Sequence, residues 1–523
     1  MKKFRDNCSS DCLASTLFIS TKPTEETTDQ LIKQVAKGGG IAFGGSVIGK
    51  VAALGLNVLL GRVLGPGAYG LYVLGISVIG IAQSIASLGL NQGVVRFCSM
   101  YRGERDNARV KGTLLSALGI SSVSSVLMAA ILFALSDTIS ERFFNEPELS
   151  SVLRVFALVL PFYVLMGITT SFAQSFRRID YQQGVQIFRL LVNFALVSLA
   201  FLLGFRLAGA VYGFLASGVL SAGLGFYFLW RIFPEAILNS QATYRAAQLL
   251  RFSFPMFLIG ISYFLLSYTD RIMLGYFGQA NDVGVYNAAT ILSMNIVIFI
   301  AAIISIFSPI LADLHNKRKY NEIKSLYKVT TRWIIITSSP LFLILALFPD
   351  TIMSIFGVEY QIGSRVLIIL AFAYFVGAAT GPGGVILQMS GKQDIDLVNG
   401  TFLVIVNIAL NIWLIPVYGV IGAALATCIT LTLIHVARFI EVYKIFKMIP
   451  YDFHILKPLV AGIIAAVPGV LFNVFSNPGS LKLAYIGLPL VVFIYGISLW
   501  GMGLHPQDKI ILLAIIRKFC HVI

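Results

Sequence analysis

Apolar residues along this chain come in long unbroken runs. They follow neither the alternation of a half-buried strand nor the narrow stripe of a surface helix. Fourteen runs approach the roughly 20 residues needed to cross a bilayer core as helix. They lie near 38–61, 71–93, 112–135, 153–175, 184–204, 208–230, 252–276, 286–310, 331–349, 364–388, 397–416, 419–440, 458–476 and 483–502. Each run is continuously apolar, whereas barrel strands would alternate over about ten residues. The pattern predicts an all-α polytopic membrane protein with fourteen transmembrane helices.

Composition agrees. Only 12% of the 523 residues are charged and 57% are hydrophobic, with mean hydropathy +0.85; soluble domains carry roughly 25% charged residues. With the N-terminus in the cytoplasm, most of the 39 Lys and Arg fall in cytoplasmic segments. That asymmetry sets the orientation. Both termini are expected in the cytoplasm, in a multi-pass protein of the cell membrane. The net charge of +15 is spread over short loops, so it is a topological signal with a secondary pull toward anionic lipid, and no nucleic acid is implied. The basic N-terminus makes a poor cleaved signal, because its apolar patch is short. Residues 25–37 could form a short interfacial helix, with Leu31, Ile32 and Val35 on one side. Cys8, Cys12, Cys98, Cys428 and Cys520 avoid predicted external loops, so no disulfide framework is expected. No metal site and no cofactor are expected.

"LGPGAYGLY" (64–72) spaces Gly65, Gly67 and Gly70 as G-x-G-x-x-G. A dinucleotide loop of that spacing follows a strand and opens a helix. Here both flanks are membrane spans, so a tight turn is expected. An internal repeat supports this. "LGRVLGPGAYGLY" (60–72) and "LGYFGQANDVGVY" (274–286) align at an offset of 214, pairing Gly70 with Gly284 and Tyr72 with Tyr286. Gln279 and Asn281 stand opposite Gly65 and Gly67, so a phosphate loop would be absent from the second copy. "VNFAL" (192–196) matches "VNIAL" (406–410) and Gln174 matches Gln388 at the same offset. Several matches at one offset indicate duplication. The offset covers six helices, an even number, so the copies should be parallel and related by a two-fold along the membrane normal, with a site between them. The expected organisation is a cytoplasmic tail (1–37), an N-lobe of six helices (38–230), a cytoplasmic linker (231–251), a C-lobe of six helices (252–440), two further helices (441–502) and a cytoplasmic tail (503–523).

With "SLGLNQGVVRF" (87–97), "YTDRIMLGYFGQANDVGVYNAA" (268–289), "IFGVEYQIGSRVL" (355–367) and "IPVYGVIGAALAT" (415–427) added, the chain resembles a polysaccharide flippase of the O-antigen and teichoic-acid type. These belong to the multidrug/oligosaccharidyl-lipid/polysaccharide exporter superfamily. The resemblance implies two six-helix lobes around a central cavity. It also implies translocation of a polyprenyl-phosphate- or polyprenyl-diphosphate-linked oligosaccharide from the cytoplasmic to the outer leaflet, a transport and not an enzymatic function. The alternative is an ion-coupled small-molecule exporter of the multidrug type.

Charges at membrane depth locate the candidate chemistry, since each costs about 2.5–3.5 kcal/mol on insertion scales. Lys50 lies in span one; Asp270 and Arg271 lie in span seven. Asn57 is two helical turns from Lys50, on nearly the same face, and is the repeat mate of Arg271. Lys50, Asn57 and Arg271 are therefore expected to face one central cleft and bind substrate, with Arg189 and Asn295 as further candidates. Arg189 stands within about two turns of the cytoplasmic end of span five, from which it could also snorkel outward. An ion pair between Arg271 and Asp270 is strained, because neighbouring helical residues point about 100° apart. Asp270 is a candidate site for an H⁺ or Na⁺ counter-ion, or neutralises a cation. His435 reads as structural. Asn91, Gln92, Asn193 and Asn407 could bind sugar hydroxyls or join helices. Pro382 should break span ten; Pro161 and Pro255 should kink spans four and seven. Two cations and one carboxylate at the midplane favour an anionic substrate over cationic drugs. Membrane lipids and glycan-assembly proteins complete the expected partners.

Overall fold

A computed structural model of the protein describes residues 25–233, 239–475 and 481–503. All regular structure among them is helical. At least eleven helices are long and apolar enough to cross a membrane. Cys8, Cys12, Cys520, part of the 231–251 linker and most of the C-terminal tail lie outside the described residues, as do the side chains of Leu31, Ile32 and Val35.

The first half is built from α1 (Glu25–Ser87), α2 (Leu90–Gly103), α3 (Asn107–Asp137), α4 (Leu149–Ser175), α5 (Ile179–Leu202) and α6 (Leu207–Ile232). The expected turn at the glycines falls at Gly65, where two helices meet within the range of α1. Gly65 takes φ 72° and ψ 171°, and helical geometry resumes at Pro66. Pro suits a first helical turn, where its missing N–H has no partner to lose, so one residue suffices to redirect the chain. Span two breaks again at Leu88–Gly89, where Gly89 is left-handed at φ 68°, and continues as α2.

The second half comprises α7 (Ala246–Phe277), α8 (Ala280–Ser293), α9 (Ile296–Asn316), α10 (Tyr320–Leu347), a short α11 (Pro349–Met353), α12 (Ser364–Thr380), α13 (Gly383–Met389), α14 (Gln393–Tyr418) and α15 (Val420–Phe446). Helices α16 (Leu456–Phe475) and α17 (Leu481–Gly501) follow. Span seven bends by 56° between Ser262 and Ser267, well after Pro255. Span ten is interrupted at Gly381 (φ 74°) and Pro382. Proline removes one backbone donor and its ring disfavours helix in the residue before it.

Glycine brings the two halves together. A Cβ on Gly70 would stand 1.7 Å from the carbonyl oxygen of Ala280, and one on Gly284 would stand 2.1 Å from that of Pro66. The contact is reciprocal, since each residue's counterpart lies 214 positions away. Only glycine lets two backbones approach so closely. Further bonds join the halves at this end. The Ala280 N–H donates to Glu146 at 2.9 Å, Arg62 Nε to the Ile355 carbonyl at 2.7 Å, and Tyr360 OH to the Gly61 carbonyl at 3.2 Å. Gln174 and Gln388 also behave alike. Each bonds a side chain eight residues on: Gln182 Nε2 donates to Gln174, and Gln388 Nε2 donates to Asp396.

Candidate functional site

The central polar residues form a chain from one half to the other. Arg271 Nε donates to Asn287 Oδ1 at 2.7 Å, and Asn287 Nδ2 donates to Tyr69 OH at 2.7 Å. Tyr69 OH then donates to Asn57 Oδ1 at 2.8 Å, and Asn57 Nδ2 donates to the Ala53 carbonyl at 2.7 Å. Arg271 and Asn57 are thus linked through two residues that sequence reasoning did not single out. Tyr69 reaches the site because α1 turns at Gly65, and Asn287 because α8 folds back beside α7. No periodicity within one helix connects 57 to 69 or 271 to 287, so local spacing carries no signal for either bridge.

Arg271 is 7% exposed and Asp270 4%, yet no ion pair joins them. Arg271 instead donates Nη1 to the carbonyl of Ser267 and stacks over Tyr268, 5.0 Å from its ring centre. Asp270 points the other way. Its carboxylate accepts from Tyr286 OH at 2.8 Å, Asn411 Nδ2 at 2.7 Å and Thr427 Oγ1. Asn411 Nδ2 also donates to Asn407 at 3.0 Å, while its own Oδ1 is buried without a partner. A cavity of about 220 Å³ opens onto both charges, lined by Ser267, Asp270, Arg271, Tyr286, Asn407 and Thr427 among others. No cluster of three His, Cys, Asp or Glu side chains suited to a metal occurs among the described residues.

Lys50 is exposed and lies on the Asn57 face of α1. It makes no described contact with Arg271. Asn295 sits at the break between α8 and α9, where its Nδ2 donates to the carbonyls of Ile291 and Leu292. Its amide donor thus meets its own backbone rather than an open cavity.

Arg189 turns inward rather than toward the end of its helix. Helix α5 starts at Ile179, ten residues before it, so Arg189 stands roughly 15 Å into the helix at 1.5 Å per residue. It does not snorkel to the end. Nη1 donates to Tyr163 OH at 3.2 Å, and Nε is buried without a partner. His435 is packed against Gly377, where a Cβ would come within 2.5 Å of its Nε2. Asn193 and Asn407 are each 2% exposed, and Asn91 packs against Gly167.

A family model described as polysaccharide biosynthesis protein matches residues 35–315. The chain belongs to this family. A second family model, MatE, matches residues 255–413. A probable low-salt glycan biosynthesis flippase of Haloferax volcanii is 27% identical over 221 residues, 42% of this chain and 46% of that protein. The chain therefore spans under half the length of that relative. A putative O-antigen transporter of Shigella flexneri is 23% identical over 385 residues, 72% of this chain and 89% of that protein. The fold is similar to that of the lipid II flippase MurJ in an inward closed conformation. The TM-score is 0.70 at 14% identity, covering 87% of this chain and 96% of that one. The family is thus one of multi-span membrane transporters, and this chain carries their fold with a buried arginine at its centre.

Proposed function

We propose that this protein is a flippase that moves a polyprenyl-phosphate- or polyprenyl-diphosphate-linked oligosaccharide from the cytoplasmic to the outer leaflet by alternating access. The observation that carries this is the Arg271–Asn287–Tyr69–Asn57 chain. It fixes a buried guanidinium away from the neighbouring carboxylate, which supports an anion-binding centre. The names of the Haloferax and Shigella relatives support the glycan class. The MatE match leaves a multidrug-type exporter as the alternative, but a cationic drug has no reason to approach Arg271 and Lys50.

The molecule operates as fourteen helices, in two parallel lobes of six plus a C-terminal pair, with both termini cytoplasmic. The reciprocal Gly70–Ala280 and Gly284–Pro66 contacts support the pseudo-two-fold. The basic-residue asymmetry supports the orientation. A cysteine at Asn281 is expected to react with an impermeant maleimide added outside intact cells. Reaction from the cytoplasmic side alone would reverse the topology.

Lys50, Asn57 and Arg271 receive the phosphate, while Arg189 and Asn295 flank the path of the sugar. Asp270 carries the coupling H⁺ or Na⁺; the unpartnered Asn411 oxygen beside it supplies a further acceptor for a cation. Moving an anionic head outward from a negative interior is favourable by about 2.3 kcal/mol per charge at 100 mV. In reconstituted vesicles, a potassium–valinomycin potential, inside negative for the cytoplasmic face, is expected to speed flipping of a fluorescent lipid-linked oligosaccharide. An imposed Na⁺ or H⁺ gradient is expected to act in the wild type and not in Asp270→Asn. A rate indifferent to potential and gradients would remove electrical and ionic coupling from the mechanism.

A further inference from the structure

Helix α2 carries a cation that the central site does not use. Its buried residues are Leu90, Gly93, Val94, Phe97, Cys98 and Tyr101, which share one face. Gln92, Arg96, Ser99, Met100 and Gly103 are exposed on the other side of the helix, where Ser99 Oγ also donates to the Ser175 carbonyl at 3.3 Å.

The position of Arg96 is set by how α2 meets α7. Gly89, at φ 68°, leaves room for the other half's backbone: a Cβ there would stand 2.3 Å from the Ser253 carbonyl oxygen. One on Gly93 would stand 2.5 Å from Ser253 Oγ. This approach brings Phe252 edge-on to Phe97, with ring centres 5.6 Å apart. The Arg96 guanidinium lies over the Phe252 ring at 4.3 Å. The arginine of one half therefore rests on an aromatic face of the other.

Stacking uses the face of a guanidinium and leaves its N–H edges free. Among the described residues, Arg96 has no carboxylate partner and no hydrogen bond. It stands seven residues from the end of α2, and Phe252 six from the start of α7. Both helix ends belong to the predicted cytoplasmic side. Between Phe252 and Arg271 lie about 28 Å of helix at 1.5 Å per residue.

We infer that Arg96, stacked on Phe252, is a second phosphate-binding point at the cytoplasmic mouth, which takes the lipid phosphate before Arg271 does. The inference rests on the flippase reading for the identity of that phosphate. Planar, unspent donors match two phosphate oxygens at once. The site bridges the seam between the halves, so an arriving phosphate engages the contact that must loosen when they move.

The full-length protein in nanodiscs of neutral phosphatidylcholine, titrated calorimetrically with geranylgeranyl diphosphate, tests this. Wild type is expected to show two binding components. Arg96→Gln should weaken one about tenfold, the scale of one lost charge-assisted pair, and leave binding of neutral geranylgeraniol unchanged. Arg96→Lys and Phe252→Leu should fall between, since one keeps charge without the fork and the other keeps the fork without its platform. Arg271→Gln should remove the other component. An isotherm for Arg96→Gln identical to wild type overturns the inference. Failure of the central reading looks different: Arg271→Gln then binds as wild type while Arg96→Gln is still impaired. Adding phosphatidylglycerol separates two sources of the phosphate. If it abolishes the difference between wild type and Arg96→Gln, the site holds bulk anionic headgroups; if the difference persists, it selects the polyprenyl-linked substrate.

Discussion

The Lys50→Ala, Arg271→Ala double variant is expected to reach the membrane in normal amount and to move no lipid-linked glycan. Removing Arg271 takes away the end of the chain through Asn287, Tyr69 and Asn57, and with it a planar set of donors. Removing Lys50 takes away the exposed cation on the same face of α1. A phosphate leaving water for this depth loses its hydration, which in the proposed mechanism the two cations replace. Loss of two charge-assisted contacts to the moving group is expected to slow flipping by at least 100-fold, each contact being worth about 1.5–3 kcal/mol. Arg271→Lys should fall between, because charge survives while the bidentate fork does not. Flipping per molecule of surface protein, measured with a fluorescent lipid-linked oligosaccharide, checks this. Normal flipping per molecule in the double variant would reduce both residues to structural parts.

The second large effect concerns the glycine crossing and needs no substrate. Gly70→Val and Gly284→Val are expected to lower thermal stability of the purified protein by at least the roughly 1–3 kcal/mol typical of overpacking. The obstacle is a neighbouring backbone carbonyl at 1.7 Å and 2.1 Å from the added Cβ, which no rotamer change relieves. Gly67→Ala is the internal control. Nothing lies within 4 Å of a Cβ there, so unfolding temperature and flipping should match wild type. A nucleotide-binding loop would rank the three glycines otherwise, with Gly67 sensitive to any side chain near a pyrophosphate. A Gly67→Ala protein as damaged as Gly70→Val would contradict the packing account.

The two glycines show where chain and fold divide the work. That Gly70 matters is legible from its partner Gly284 at the repeat offset. That the turn falls on Gly65, with helix resuming at Pro66, is not. Glycine at 65, 67 and 70 and proline at 66 mark a turn between two spans without saying which residue makes it. The neighbouring half, pressed against Pro66 and Gly70, settles the matter. Arg189 is a similar case. Its place within about two turns of the cytoplasmic end of span five made outward snorkelling look accessible. The packing of α5 against α4 places it beside Tyr163 instead.

The sequence by itself determined the all-helical membrane class, because hydrocarbon leaves a continuous apolar run little choice but helix. It also determined which charges are costly enough to need a use: Lys50, Asp270 and Arg271. Only the tertiary structure decided their partners. Asp270 and Arg271 are neighbours in the chain yet serve different networks, since a helix turns adjacent side chains about 100° apart. Asn57 and Arg271 are far apart in the chain yet share one hydrogen-bonded path, because Tyr69 and Asn287 arrive from helices that meet only when the two halves pack. Depth in the membrane is a property of a segment, so the sequence states it. A hydrogen bond between segments is a property of their packing, which no single segment contains.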